Sequence, residues 1–140
     1  MRVLGVDVGA RRLGLALSDP TASLATPWRT IPAGATSRAT AAAINDLVLA
    51  MEPSDGVGTI VVGLPRRLNG EDTTETGRAR EIATALGELT GLPVRLQDER
   101  LSSREAESRL AVRERDWRKR KARIDAAAAA VILQDYLDGA

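Results

Sequence analysis

The 140-residue sequence contains no cysteine, no histidine and no phenylalanine, and aromatic residues make up only 2% of it. Without cysteine and histidine there is no disulfide framework, no Cys/His zinc site, no thiol nucleophile and no imidazole base. If the chain is an enzyme, its chemistry must come from carboxylates, hydroxyls, lysine or arginine, or from a metal ion held by oxygen ligands. Because 44% of the residues are hydrophobic, the core must be aliphatic and rich in alanine.

Length and the N-terminal sequence indicate the broad class of the protein. A chain of 140 residues is enough for one domain, and we expect a single domain over residues 1–140. The N-terminal apolar stretch is interrupted by Asp7, Arg11 and Arg12, so it resembles neither a signal sequence nor a membrane span. We therefore expect a soluble, cytoplasmic protein with no membrane partner.

The apolar pattern predicts an α/β fold with a mixed sheet. Strands are expected near residues 3–8, 13–17, 25–31, 59–64 and 94–97, with helices between the later strands and after the last one. Alternation of strands and helices implies parallel crossovers, whereas the opening hairpin implies one antiparallel strand. The third strand contains Pro27 and precedes Pro32, so we expect it at an edge of the sheet.

Two helices are predicted after the last strand. Ser102 and Glu105 form an S-x-x-E capping box, which predicts the start of a helix that runs into a basic segment. A final helix is expected from about Asp125 to Leu137, over an alanine-rich stretch.

Asp7 is the first candidate functional residue. It lies within an apolar, strand-like run, where an ionised carboxylate is costly to bury unless it is paired, hydrogen-bonded or bound to a metal. Gly5 and Gly9 flank it and leave space for a ligand or for another backbone. The alternative is an aspartate that caps the hairpin turn, but Asp7 precedes that turn, so we favour a functional role.

Further acids lie in two later segments. Asp98 and Glu99 follow the fifth predicted strand, and ligands of open α/β sheets bind at the carboxyl ends of strands. From the residues alone, ordinary loop charges are an equal alternative. Asp125 precedes five alanines, and an N-cap is the stronger interpretation of its position. The alanines would nevertheless let the helix approach its neighbour closely and bring this carboxylate to the strand ends.

Three carboxylates from separate segments would suit a metal-dependent nuclease. Attack on an anionic phosphodiester requires its charge to be neutralised, and hard divalent cations do this while activating water. Mg²⁺ or Mn²⁺ prefers carboxylate and water ligands, so either ion is the cofactor that we expect.

Basic residues concentrate between Arg113 and Arg123. This segment holds seven basic and two acidic residues, so its net charge is +5 within a chain whose total is +1. Such a cluster is typical of a protein that binds a polyanion, although a solvated loop is an equal alternative. Residues of this segment and three other arginines are the predicted nucleic-acid contacts: Arg11, Arg66, Arg67, Arg118, Lys119, Arg120 and Lys121.

Four segments together resemble the YqgF family, which is described as pre-16S rRNA nucleases and Holliday junction resolvase-like proteins with an RNase H-like fold. The resemblance covers almost the whole chain in the right order. It departs only slightly, with Ala10 where threonine is usual and Asn69 where aspartate is frequent. The matching segments are GVDVGARRLGLALSD (Gly5–Asp19), IVVGLPRRLNG (Ile60–Gly70), DERLSS (Asp98–Ser103) and RID with AAAVILQDYL (Arg123–Asp125 and Ala128–Leu137).

The resemblance implies a five-stranded mixed sheet in the order 3-2-1-4-5, with strand 2 antiparallel and helices on its flanks. It implies a metal-dependent nuclease, most directly one that matures the 5′ end of pre-16S rRNA. Asp7, Glu99 and Asp125 match the family's catalytic, metal-binding acids, with Asp98 as the alternative to Glu99.

Other functions remain open at this point. One is a Holliday junction resolvase-like DNA endonuclease, which needs two sites on symmetric strands and would be favoured by a homodimer. Another is a non-catalytic rRNA-binding assembly factor. The opening motif also resembles the first phosphate loop of actin-like ATPases and sugar kinases, but those enclose a nucleotide with a second lobe, for which 140 residues are too few.

Overall fold

Five strands and three helices form the described part of the protein. The computed structural model describes residues 1–51, 56–66, 69–98 and 117–139, with side chains in the last range described from residue 125 onward. In chain order, the elements are β1 (Arg2–Val8), β2 (Arg12–Ser18), β3 (Ala25–Pro32), α1 (Ser37–Leu49), β4 (Val57–Leu64), α2 (Thr74–Thr90), β5 (Val94–Asp98) and α3 (Trp117–Gly139).

The strands form one mixed sheet in the order β3-β2-β1-β4-β5. Strand β2 is antiparallel to β1 and β3, whereas β4 is parallel to β1 and to β5. The predicted α/β architecture, the strand order and the antiparallel second strand are therefore confirmed. Strand β3, which contains Pro27 and Pro32, lies at an edge, as proline's missing backbone donor requires.

Local sequence explains the ends of the first two helices. Thr36 caps α1 by accepting a hydrogen bond from the backbone N–H of Ala39 at 3.0 Å. Thr73 and Thr76 form a reciprocal capping box at the start of α2, a signal that is weak in the sequence because Glu or Gln usually holds the second position. Helix α2 ends at Gly91, whose φ of 69° suits glycine.

Helices cover both faces of the sheet. Helices α1 and α2 pack on the face that carries Leu4, Val6 and Ile60. Helix α3 covers the other face, where its residues Ala129, Ile132 and Leu133 join three sheet residues in a small core: Val3, Ala16 and Val61. Strand alternation places Gly5 and Asp7 on this same α3 face, because they lie two and four residues after Val3.

Two glycines allow helix α3 to approach the sheet closely. A Cβ atom on Gly5 would lie 2.8 Å from the Cβ atom of Leu133. A Cβ atom on Gly14 would lie 1.8 Å from the carbonyl oxygen of Asp125, a distance that no side chain can tolerate. The space beside Asp7 that Gly5 provides is therefore filled by the helix. From Gly14 to Gly5 the helix runs antiparallel to β1, so Asp125 lies near the carboxyl end of β1.

Helix α3 is already formed eight residues before its expected start. The expected start near Asp125 is wrong, because the described helix runs from Trp117 and Asp125 lies at least two turns inside it. No glycine or proline occurs between residues 94 and 138, and the basic residues before Asp125 are good helix formers, so nothing breaks the helix there. The helix predicted from Ser102 and Glu105 lies outside the described residues. Within the described ranges, no helix has both the length and the apolarity of a membrane span.

The contact at Gly14 predicts that two glycine-to-alanine substitutions change the free energy of unfolding in opposite directions. Gly14→Ala should lower the free energy of unfolding by about 3 kcal/mol, because the new methyl group would force α3 away from the sheet. Gly77→Ala, in α2, should raise it by about 0.5–1 kcal/mol, because a Cβ there meets no atom within 4 Å and alanine favours the helix. Urea unfolding of both variants measures the difference, and equal stabilities would contradict this packing.

Candidate active site

Asp7 lies near the carboxyl end of the central strand β1. Its side chain faces α3 and the residue is only 9% exposed. In the antiparallel register, Asp7 is directly opposite Gly14 of β2. Directly opposite residues have Cα atoms about 4.5–5.5 Å apart, so whatever rests on Gly14 also lies beside Asp7.

Asp125 is the residue that rests on Gly14. Its carbonyl oxygen occupies the position where a Gly14 side chain would be, and Asp125 is thereby brought next to Asp7 on one face of the sheet. The N-cap interpretation of Asp125 is wrong, since a residue at least two turns inside a helix caps nothing. Two of the three predicted acids are therefore neighbours, although they are 118 positions apart in the chain.

An arginine that the sequence analysis assigned no role accompanies this acid pair. The Nε atom of Arg12 lies 3.2 Å from Oδ2 of Asp125, and the two side chains are 35% and 25% exposed. Arg12 begins β2, and its carbonyl accepts a hydrogen bond from Gly9 N–H at 3.0 Å, which closes the β1–β2 turn. The guanidinium thus offsets the negative charge of the Asp125 carboxylate.

Asp98 does not share the face of Asp7. It ends β5 opposite Leu64 of β4, and Leu64 packs on the face covered by α1 and α2. The Asp98 carboxylate lies 3.9 Å from Nη1 of Arg66. Glu99 lies outside the described residues, so its role remains a prediction.

The donor set at this place suits a hard divalent cation. Asp7 and Asp125 offer carboxylate oxygens, which are the ligands that Mg²⁺ and Mn²⁺ prefer. Within the described ranges, no group of three or more acidic residues is close enough to form a complete metal site. The described ranges therefore contain two acids of the candidate site, and the third predicted ligand, Glu99, lies outside them.

The predicted nucleic-acid contacts lie in different surroundings. Arg11 is exposed in the β1–β2 turn. Arg66 is committed to protein carboxylates, with its Nε atom 3.0 Å from Asp72, so it is less available to phosphate than expected. Asp72 also accepts a hydrogen bond from Arg80 at 2.7 Å, and this bond lowers the pKa of the Asp72 carboxyl.

The remaining basic candidates lie in α3 or beyond the described part of the chain. Residues 118–121 belong to the helix backbone, about one to two turns before Asp125. The helix carries them past the carboxyl end of β1, since it runs antiparallel to that strand. Their side chains and Arg67 are outside the described residues.

Arg78 of α2 also contributes to the site's framework. Its Nη1 atom donates a hydrogen bond to the carbonyl oxygen of Gly9, two residues after Asp7. Glu75, one turn earlier in α2, lies 3.8 Å from the same atom. The sequence carries no signal for this contact, because it joins residues 69 positions apart.

Residues 1–139 match the RuvX family, whose description is Holliday junction resolvase. The chain belongs to this family. A relative from Anaeromyxobacter sp. (strain Fw109-5), named as a pre-16S rRNA nuclease, is 45% identical over 139 residues, which are 99% of this chain and 98% of the relative. The resemblance to YqgF nucleases is thereby confirmed.

Two kinds of protein are found among the solved structures with a similar fold. RuvC from Thermus thermophilus matches with a TM-score of 0.53 at 18% identity, over 99% of this chain and 95% of RuvC. ROK hexokinase from the same organism matches with a TM-score of 0.50 at 21% identity, over 76% of this chain but only 38% of the hexokinase. At such low identities the likeness concerns the fold alone, which is RNase H-like.

The Arg78 contact predicts different effects for two arginines of α2. Arg78→Met keeps the apolar stem but removes the donor to Gly9, and should lower the free energy of unfolding by about 1–2 kcal/mol. Arg80→Met removes only exposed ion-pair contacts to Asp72 and should change stability little. Chemical denaturation of both variants provides the comparison, and a larger loss for Arg80→Met would contradict the anchoring role of Arg78.

Proposed function

We propose that this protein is a nuclease, dependent on Mg²⁺ or Mn²⁺, that matures the 5′ end of pre-16S rRNA. The observation that carries this proposal is the juxtaposition of Asp7 and Asp125 across Gly14, at the carboxyl end of the central strand. Membership of a resolvase family and relatives named as pre-16S rRNA nucleases support the same chemistry.

The proposed catalytic and metal-binding residues are Asp7, Asp125 and Glu99. Asp98 is the weaker choice for the third position, because its strand register assigns it to the opposite face. Glu99, which the family resemblance matches to the second catalytic acid, is therefore our choice for the third ligand.

The chain's own residues would prepare the site for phosphodiester hydrolysis. A bound Mg²⁺ or Mn²⁺ would supply charge neutralisation at the phosphate and an activated water. Asp7 is held in place by the β1–β2 ladder, and Asp125 by the contact of α3 with Gly14, so the backbone of neither residue needs to move to accept the ion. Because the chain has no histidine, proton transfers would rely on carboxylates and water.

Basic residues would guide the polyanionic substrate toward these acids. Arg11 is exposed at the β1–β2 turn. Residues 118–121 precede Asp125 in α3, and the helix carries them past the carboxyl end of β1. Positive charge there would counter the repulsion that the acid cluster exerts on phosphates. We propose these residues, with Arg67, as the main phosphate contacts and Arg66 as a lesser one.

A second candidate function is resolution of four-way DNA junctions. The family's description favours it. Pre-16S rRNA is preferred because the relative with 45% identity over nearly its full length carries that name.

Neutralising the proposed ligands should abolish cleavage without unfolding the protein. Asp7→Asn, Asp125→Asn and Glu99→Gln should each lower the rate with Mn²⁺ by at least about 100-fold, because each removes a charge that binds the ion. Asp98→Asn is the matched control and should retain activity. Cleavage of a 16S precursor and of a four-way DNA junction, assayed on the same samples, measures both the effect and the substrate.

Three results would each change this assignment. Full activity of Asp125→Asn would remove that residue from the site. Cleavage of the junction in preference to the precursor would favour the resolvase. Equal RNA binding by wild type and Asp7→Asn, with no cleavage by either, would indicate a non-catalytic rRNA-binding factor.

Charge reversal in the first turns of α3 should weaken nucleic-acid binding at every sequence. Changing Arg118, Lys119 and Arg120 to Glu removes three cations, and the slope of log affinity against log salt concentration should become shallower by about 2–3. Fluorescence anisotropy across a salt series measures this slope. An unchanged slope would show that these residues are solvated surface charges.

A further inference from the structure

Arg12 forms an ion pair with Asp125, one of the proposed metal ligands. Its Nε atom lies 3.2 Å from Oδ2 of Asp125. The side chain projects from β2 on the same face as Asp7, because Arg12 lies two residues before Gly14, the cross-strand partner of Asp7. The positive charge of the Arg12 guanidinium therefore lies beside Asp125 when no metal ion is bound.

The Arg12–Asp125 ion pair is exposed enough to solvent for the guanidinium to dissociate from the carboxylate. The Arg12 side chain is 35% exposed and that of Asp125 is 25% exposed, so water reaches both groups and can solvate a displaced guanidinium. The backbone of Arg12, in contrast, is fixed by the hydrogen bond that closes the β1–β2 turn. The guanidinium can thus leave Asp125 without any change in the sheet.

We propose that Arg12 takes the place of a divalent cation at Asp125 and is displaced when the ion binds. This inference rests on the proposed function, in which Asp125 is a metal ligand. In the ion-free protein the guanidinium offsets one of the two carboxylate charges, and it competes with the ion for the Asp125 carboxylate. Arg12 therefore lowers the affinity of the site for Mg²⁺ or Mn²⁺ and is a positioning residue.

The direction in which metal affinity changes when Arg12 is replaced distinguishes this role from a purely structural one. If Arg12 only fixed the conformation of Asp125, its removal would loosen a ligand and weaken metal binding. If Arg12 competes, its removal eliminates both the competition and the repulsion between a monovalent and a divalent cation. The two roles predict changes of metal affinity in opposite directions.

The test is a titration of the full chain with Mn²⁺ alone, followed by calorimetry or by the electron paramagnetic resonance of free Mn²⁺. Arg12→Gln should tighten Mn²⁺ binding by about tenfold, since it removes one nearby positive charge. Arg12→Lys keeps the charge and should stay within about threefold of wild type. Arg38→Gln is the matched control and should leave the affinity unchanged, because the Arg38–Glu88 ion pair, at 3.0 Å, lies on the surface of α1 and α2.

Unchanged or weaker Mn²⁺ binding by Arg12→Gln overturns the inference, provided that its unfolding midpoint in urea matches that of wild type. If that variant is unfolded, Arg12→Lys decides: a tenfold change in affinity despite the retained charge overturns the inference. Failure of the proposed function looks different. In that case, wild type and Asp125→Asn bind Mn²⁺ equally, or none of wild type, Asp125→Asn and Arg12→Gln binds it. Either result would show that Asp125 is not a metal ligand.

Discussion

The backbone of helix α3 rests on Gly14 with no side chain between them. This contact determines how close Asp125 lies to Asp7, since Gly14 is the cross-strand partner of Asp7. It also fixes the direction in which the helix leaves the sheet, and therefore where the basic turns of α3 lie. The alanines of α3 make the same approach possible, since the backbones of Ala126 and Ala129 lie against Gly14 and Gly5.

Much of the fold follows from local sequence. Strands β1 and β4 are short apolar runs that are buried on both faces, and the prolines of β3 assign that strand to an edge. Asp7 could be singled out for the same reason, because a carboxylate in such a run has no local explanation. The order of the strands came from the resemblance to a known family. The approach of Asp125 to the strand ends was predicted from the alanines that follow it, and the resemblance supplied its expected role as a metal ligand.

The remaining features depend on contacts between distant segments. The start of α3 was missed because an aspartate before alanines resembles an N-cap, and only the absence of a helix breaker argues otherwise. Arg12 and Arg78 gave no signal, since their partners lie far away in the chain. The sequence alone could not distinguish Asp98 from Glu99, because the face on which Asp98 lies depends on the register of β5 against β4.

The two edges of the sheet have a consequence for self-association. A free strand edge can pair with a strand of another molecule and so initiate aggregation. Pro27 and Pro32 remove backbone donors from β3 and prevent a continuous intermolecular ladder. At the opposite edge, β5 has only five residues and exposes the charged side chain of Arg95. Among the described strands, growth of the sheet by strand addition is therefore disfavoured at both ends.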